Sequence, residues 1–195
     1  MRTFILVMVL IFSFQSWTRA DDISEFEIEG ISVGDSALDF YTESEIKNNT
    51  WDYYKNKKFT PVQAPNFPFY TTYDAVDFEF KTGDKNYIIY SLSGIIKYGD
   101  KNIEDCYKKM DEIDKDLKII LSSASREEKA TWKHGADPTG ESIFTDIYYE
   151  LDQGSITITC YDFSKEYEEK KNSSDYLAVM VALDEWMKFM RSNPY

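Results

Sequence analysis

A β-hairpin is encoded by the segment IFTDIYYELDQGSITITCYDF, residues 143–163 of this 195-residue chain. The second half, 155–163, largely alternates polar with apolar side chains, which is the pattern of a strand with one buried face, and the first half, 143–151, is predicted as a strand from its β-branched and aromatic residues. The sequence DQG at 152–154 joins the two halves. Because glycine tolerates a positive φ, we expect Gly154 to adopt one and to close a tight hairpin turn.

Further strands are predicted before and after the hairpin. Residues 76–80 alternate apolar with charged side chains, and a turn at 81–86 leads to a second apolar run at 87–98. Gly94 inside this run predicts a bulge or a bend. Another strand is predicted at 176–182. Together with the hairpin, these segments make about five strands.

Helical periodicity is clearest between residues 103 and 121. Apolar side chains recur there at spacings of three and four, with Lys, Asp and Glu between them, and predict an amphipathic helix of about five turns. The apolar stripe consists of Ile103, Cys106, Tyr107, Met110, Ile113, Leu117, Ile120 and Leu121. Shorter helices are predicted within residues 35–46 and at residues 183–191.

This order of elements is typical of an α+β fold. We expect a single domain in which an antiparallel sheet of about five strands carries the long helix on one face, with short N- and C-terminal helices. Residues 73–195 would form this domain in the order β-β-α-β-β-β-α. Residues 21–72 would form an N-terminal segment with a short helix and, at 51–72, an irregular proline-containing arm.

The first twenty residues predict export. A basic start is followed by an apolar run at residues 4–14 and by Ala20, with the small residue Thr18 two positions before it. This is the order of a cleavable signal peptide, here residues 1–20, and the run is shorter than the roughly 18 residues of a membrane-spanning helix. A membrane anchor or a buried helix would be the alternatives. No later stretch is long enough to span, so we expect a soluble mature protein that is periplasmic or secreted.

The chain is acidic and rich in aromatic side chains. Its net charge is −13, and loss of residues 1–20 would leave 20 basic against 35 acidic side chains, a net charge of −15. Such a charge disfavours nucleic acid and anionic membrane surfaces as partners, and it suits cationic ligands or basic proteins. Aromatic residues make up 16% of the chain, which excludes a disordered acidic segment.

The two cysteines are predicted to form a disulfide bond. Cys106 lies on the apolar stripe of the long helix, and Cys160 lies on the same side of its strand as Ile156 and Ile158. We expect these two apolar faces to pack against each other, and an even number of cysteines in an exported protein favours a bond. Two buried free thiols are the alternative.

The single histidine, His134, lies in the turn-rich loop TWKHGADPTGES at residues 131–142. It is a candidate general base, with Ser142 or Thr139 as the nucleophile and Asp137 orienting the imidazole. The alternative is a surface turn without a chemical role.

No cofactor or metal site is predicted. One histidine and two distant cysteines lack the spacing of a zinc site. The acidic side chains Asp111, Asp114 and Asp116 are predicted on the solvated face of the long helix, without the glycine of an EF-hand loop. The sequence contains no Walker loop, dinucleotide fingerprint, nucleophile elbow or HExxH motif.

Three segments resemble a family of small uncharacterised exported bacterial proteins. They are residues 134–142, residues 156–164 (ITITCYDFS) and residues 29–40 (EGISVGDSALDF). The resemblance covers most of the mature chain in outline and brings no activity with it. Residues 30–40 and the antiparallel strands also resemble the helix-then-sheet modules of outer-membrane assembly factors and β-lactamase-inhibitor-type proteins, which implies a binding role. The chain lacks the lipid-attachment cysteine of the assembly factors.

Taken as a whole, the sequence favours an exported, acidic, non-catalytic binding domain of the cell envelope, whose ligand or protein partner is unknown. A small hydrolase that uses the His134 loop is one alternative. A structural envelope component without a defined ligand is the other.

Overall fold

The computed structural model describes residues 22–65, 70–99 and 102–192. The predicted signal peptide, residues 1–20, lies outside the described residues. The strands and α-helices, in chain order, are β1 (Glu27–Ile28), β2 (Ile31–Ser32), α1 (Glu43–Asn48), β3 (Phe59–Gln63), β4 (Ala75–Lys81), β5 (Ile89–Lys97), α2 (Ile103–Ile120), β6 (Ser125–Lys133), β7 (Ile143–Leu151), β8 (Gly154–Asp162), α3 (Lys165–Lys171), β9 (Tyr176–Leu183) and α4 (Asp184–Arg191).

Seven of the strands form one antiparallel sheet in the order β3-β4-β5-β9-β8-β7-β6, and β1 and β2 pair separately. The predicted α+β class is confirmed, but the prediction of about five strands under one long helix is wrong. Helix α2 is one of three helices with seven or more residues in the described part of the chain, and the sheet rather than this helix dominates the fold.

The two strands of the seven-stranded sheet that were not predicted lie at its two edges. Strand β3 comes from the segment expected to be an irregular arm, and it contains Pro61. Proline is tolerated there because an edge strand leaves half of its N–H groups unpaired. Strand β6, SREEKATWK, is largely exposed and has no apolar alternation that periodicity would detect.

The face of the sheet under α2 contains most of the core. Helix α2 packs on β8 and β9, and the N-terminal residues 23–46 extend the same cover. Fully buried side chains from five neighbouring strands meet there: Phe78, Leu92, Ile147, Ile156, Ile158 and Leu177. Helix α4 packs on β5, β8 and β9 and lies on the opposite face, because its partner Ala182 and the α2-facing Val181 alternate along β9.

The predicted disulfide bond is present between Cys106 of α2 and Cys160 of β8. Their Cα atoms are 6.1 Å apart, and neither side chain is exposed to solvent. The prediction that the apolar stripe of the helix meets the apolar side of this strand is confirmed by this contact. In the chain-entropy model, closing a loop with a sequence separation of 54 stabilises the fold by about 4 kcal/mol.

A buried ion pair fastens the middle of α2 to the edge of the sheet. Asp114 was predicted on the solvated face of the helix, but its carboxylate is buried and accepts two hydrogen bonds from Arg126 of β6, at 2.8 and 3.0 Å. The hydroxyl of Tyr149 donates a third, at 2.6 Å. Burial alone would raise the pKa of Asp114, but these hydrogen bonds, with one from Lys118, hold it below its ordinary value.

Both predictions made for glycines are wrong. Gly154 has no positive φ, and a Cβ there would overlap the carbonyl oxygen of Ala182 and lie 2.6 Å from Cδ1 of Ile23. Gly94 pairs regularly with both neighbouring strands, and the ring of Tyr73 occupies the space of its missing side chain. Each glycine is therefore explained by the close approach of another group rather than by backbone conformation.

Replacing Gly154 with Ala should lower the free energy of unfolding by at least about 2 kcal/mol, because the new methyl group forces β8 away from β9. Urea denaturation followed by tryptophan fluorescence measures this change. The matched control is Gly135→Ala, where a Cβ would meet nothing within 4 Å and where we expect a change within about 0.5 kcal/mol. Equal unfolding midpoints for wild type and Gly154→Ala would contradict the close approach of these strands.

Candidate binding cleft

The sheet has a second face, which we call the cleft face, on the side away from the disulfide. Because strand side chains alternate and Cys160 faces α2, Thr157 and Thr159 of β8 lie on the cleft face. Across the sheet, Asp77 and Glu79 of β4 lie on the same face, since the registers of β4, β5, β9 and β8 place Asp77 in one row with Thr157.

Two segments cover the cleft face without closing it. One is α4, whose Trp186 and Phe189 are buried against the sheet. The other is residues 51–58, the part of the predicted arm that precedes β3, which is called the arm from here on. It lies beside this edge strand, where the N–H of Trp51 donates to the carbonyl of Pro61. Tyr54 connects the two, because its ring meets that of Phe189 edge-on at 5.0 Å while its hydroxyl donates to Oε1 of Glu79 at 3.2 Å.

A cleft of about 390 Å³ remains between the arm, α4 and the sheet. This volume lies within the range of small-molecule sites. Aromatic and methionine side chains make up much of its wall: Trp51, Tyr53, Tyr54, Phe144, Tyr148, Tyr161, Tyr176, Met180, Trp186, Met187 and Met190. The described residues that line it include the carboxylates of Asp77, Glu79 and Asp146 but no lysine or arginine.

The carboxylates of Asp77 and Glu79 are held in surroundings that disfavour their charge. Burial raises the pKa of Glu79 to about 7, against the opposing effect of the Ser91 and Tyr54 hydroxyls. Burial also raises the pKa of Asp77 to about 6, with Gln63 and Lys97 acting in the opposite direction. Burial raises the pKa of Asp146 as well, although Nε1 of Trp132 donates a hydrogen bond to it at 3.1 Å. Such shifts are common where carboxyl groups have a functional role.

Polar atoms without a protein partner are concentrated on this same face. Within the described residues, they include Oδ1 of Asp77, the hydroxyl oxygens of Ser155 and Thr157, and Nε1 of Trp186. Thr157 and Trp186 line the cleft and are only 7% and 5% exposed. Because a buried polar group without a partner costs about 1–3 kcal/mol, their concentration here distinguishes this face from an ordinary packed surface.

The predicted catalytic candidates lie elsewhere, in the loop between β6 and β7. His134 packs its ring edge-on against Phe163 and Tyr167, with 5.3 Å between centroids in each pair. Its Nδ1 atom is buried and has no partner among the described residues. Burial lowers the pKa of His134, while the charge of Asp137 acts in the opposite direction.

The structure brings Asp137, Thr139 and Ser142 together but leaves the imidazole of His134 out. The Ser142 hydroxyl donates to Asp137 at 2.6 Å, and the hydroxyls of Thr139 and Ser164 donate to the same carboxylate at 2.8 and 3.1 Å. These hydrogen bonds, that of Ser142 first, hold the pKa of Asp137 below its ordinary value. Ser142 is fully buried, and the Asp137 cluster ties the loop to Ser164, the N-cap of α3. The hydrolase hypothesis stays a prediction that no arrangement in this loop favours.

Residues 22–65, 70–99 and 102–192 contain neither a metal-binding cluster nor a membrane-spanning helix. No group of three or more His, Cys, Asp and Glu side chains there is arranged to hold a metal ion. None of the helices in these ranges combines the length and the hydrophobicity needed to cross a bilayer.

Sequence reasoning missed Asp77 and Glu79 because their alternation with Val76, Phe78 and Phe80 is typical of a strand with one solvated face. The available signal was the serine on β5 opposite each of them, Ser93 and Ser91. Small side chains opposite carboxylates leave a depression that another segment can cover. That the arm and α4 form this cover is a tertiary fact without a local signature.

Comparison with protein-family models, with curated proteins and with solved structures gave no match to this chain. The structure itself gives the class of protein. It is an α+β domain whose seven-stranded antiparallel sheet has a packed face and a cleft face. The resemblances in segments 29–40, 134–142 and 156–164 stay predictions.

Replacing Glu79 with Gln should change the pH dependence of stability. The folded state binds a proton at Glu79 up to about pH 7, whereas the ordinary pKa is 4.5, so in wild type this group lowers the free energy of unfolding as the pH rises between these values. Glu79→Gln keeps the acceptor for Tyr54 and removes the charge. It should be more stable than wild type by on the order of 1–3 kcal/mol at pH 8 and equal to it near pH 4.

Urea denaturation at several pH values between 4 and 8 measures this difference. Glu141→Gln, at an exposed loop position, is the control and should follow the wild-type profile. Parallel profiles for wild type and Glu79→Gln would mean that Glu79 is fully solvated.

Proposed function

We propose that this chain is an exported binding domain that holds a ligand in the cleft between the arm, α4 and the sheet, without catalysing a reaction on it. The observation that carries this proposal is the presence of Asp77 and Glu79 as half-buried carboxylates beside polar atoms that have no protein partner among the described residues. A packed surface would be more stable with apolar side chains at these positions, since each such group carries a desolvation cost. A ligand that pairs with these atoms would offset that cost.

The composition of the wall supports a small ligand. Binding sites for small molecules combine a largely apolar and aromatic lining with a few polar groups that orient the ligand. The cleft has this composition, and its carboxyl groups and threonine hydroxyls lie together on the sheet strands. Strands are more rigid than loops, so they suit a site that is formed before the ligand arrives.

Export is supported by the signal-like order of residues 1–20 and by the Cys106–Cys160 bond. Disulfide bonds persist in oxidising compartments and are rare in the cytosol of most cells. The proposed site of action is therefore the cell envelope or the medium, where the net charge of −15 that remains after loss of residues 1–20 also favours encounters with cationic molecules.

Mass spectrometry of the protein isolated from its native source tests the export proposal. We expect a mature chain that begins near Asp21, because cleavage by signal peptidase follows the small residues Thr18 and Ala20. Recovery of a chain that still begins at Met1 from the cytoplasm would contradict export.

Filling the cleft tests the binding proposal. Ala178 of β9 lines the cleft, so Ala178→Leu should reduce its volume while Ala136→Leu, in the exposed β6–β7 loop, provides a matched control. Thermal-shift screening with a library of small cations, anions, sugars and neutral amphiphiles should give ligands that raise the melting temperature of wild type and of Ala136→Leu. The same ligands should lose at least about tenfold in affinity for Ala178→Leu.

Two outcomes would refute a ligand site in the cleft. One is the absence of any stabilising compound for wild type. The other is a set of ligands whose affinities are the same for Ala178→Leu and for the control. Near-ultraviolet circular dichroism of both variants shows whether the fold is retained. If Ala178→Leu does not fold, Thr159→Val removes a hydroxyl from the lining at nearly unchanged volume and should weaken the same ligands relative to the control.

A further inference from the structure

We infer that the ligand of the cleft is a small organic cation, a protonated amine or quaternary ammonium group carried on an apolar body. This inference rests on the proposed binding function and specifies its chemistry. The charge of the lining, the aromatic wall and the unpartnered acceptors on the floor support it.

The charge of the lining has one sign. Asp77, Glu79 and Asp146 contribute carboxylates, and the described lining residues include no lysine or arginine. Lys97 acts on Asp77 through its charge, and Arg191 borders the cleft where it donates to the hydroxyl of Tyr148 at 3.3 Å. Both basic side chains are exposed, so they do not neutralise the floor. An anionic ligand would meet repulsion here, whereas a cation would recover the desolvation cost of the carboxylates.

The aromatic wall is suited to a cation with little hydration. Trp51 and Tyr53 stack at 5.4 Å between centroids at the mouth of the cleft and remain 50% and 46% exposed. Tyr161 and Tyr176 lie deeper, with 4.5 Å between their centroids. Aromatic faces attract ammonium groups through their quadrupoles, and cages built from such rings are the usual recognition element for quaternary ammonium groups.

Acceptors are available for an ammonium group that has N–H donors. Oδ1 of Asp77 and Oγ1 of Thr157 have no protein partner, and both residues line the cleft in the same row across the sheet. Thr157 is 7% exposed, so its hydroxyl is oriented within the protein rather than in bulk water. A hydrated metal ion would gain little from the aromatic and methionine wall, which favours a cation with an apolar body instead.

A series of ligands that share one phenylethyl body isolates the contribution of charge. The probes are phenethylammonium, phenethyltrimethylammonium, 3-phenylpropionate and 2-phenylethanol, measured by calorimetry at pH 8, where the two floor carboxyls with raised pKa values are ionised. We expect both cations to bind at least about tenfold more tightly than the alcohol, and the carboxylate to bind least.

Two variants assign this preference to the cleft. Asp77→Asn should weaken both cations at least about tenfold and leave 2-phenylethanol unchanged, and Trp51→Leu should weaken the trimethyl compound most. Asp116→Asn is the control, because it removes the same charge from an exposed position of α2, on the side of the sheet away from the cleft. It should bind all four probes like wild type. Asp77→Asn removes a charge that burial disfavours, so this variant should fold at least as well as wild type.

The outcomes separate this inference from the proposed function. If the anion or the alcohol binds more tightly than the cations, and Ala178→Leu weakens that binding, the inference that the ligand is a cation is wrong. The proposed binding function would then still hold. If Asp77→Asn and Asp116→Asn weaken the binding of the cations equally, the net charge of the chain alone attracts them. That result would refute a cation site in the cleft. Failure of all four probes at millimolar concentration would also overturn the inference, and the broader screen then decides the binding function. A blocked Gly-Lys-Gly peptide that binds tenfold more tightly than phenethylammonium would identify the side chain of a partner protein in place of a free small molecule.

Discussion

The Cys106–Cys160 bond holds helix α2 against one face of the sheet. The difference between this packed face and the cleft face depends on that attachment. With α2 and the N-terminal residues fixed on that side, the large aliphatic side chains of β4, β5, β7, β8 and β9 have a single surface on which to pack. The Asp114–Arg126 pair fastens the same helix to strand β6, so the cover is attached both near the centre of the sheet and at its edge. The hydrophobic stabilisation of the domain is therefore concentrated on one side.

This concentration permits polar residues on the other side. Serines, threonines and carboxylates on the cleft face are covered only in part, by the arm and by the eight-residue helix α4. Each partly buried carboxyl destabilises the folded chain while it is charged, and a domain with a well-packed opposite face can tolerate that loss. Departures from the most stable arrangement are expected at functional sites, and here they occur together on the cleft face.

Local sequence patterns predicted those elements whose apolar side chains repeat at a regular spacing and form one buried face. The hairpin β7–β8, the stripe of α2 and the pairing of Cys106 with Cys160 all follow from periods of two and of about 3.6 residues. Edge strands have weaker patterns, so β3, with its Pro61, and β6, with four consecutive charged residues from Arg126, were missed. Gly154 was chosen correctly as a special position but for the wrong physical reason, because the approach of β9 is a long-range contact.

The candidate site was less accessible to sequence reasoning than the fold. The His134 loop drew attention because it concentrates residue types that perform catalysis, yet its carboxylate serves to organise the loop itself. Asp77 and Glu79 are ordinary in sequence and unusual only in their surroundings. A strand that alternates apolar with acidic residues does not reveal whether its acidic face meets water or a second cover.

The two outer strands of the sheet also determine how this chain can meet copies of itself. On the β3 side, the carbonyl of Pro61 accepts from the backbone N–H of Trp51 at 3.2 Å, and the N–H of Gln63 donates to the carbonyl of Asn49 at 3.2 Å, so these two outward backbone groups are already paired. On the β6 side, the register shifts between Glu127 and Ala130, among charged side chains. Interruptions and charges of this kind prevent a neighbouring strand from adding to a sheet. A domain of this design would resist fibril formation at high concentration, even though seven strands present an extensive template.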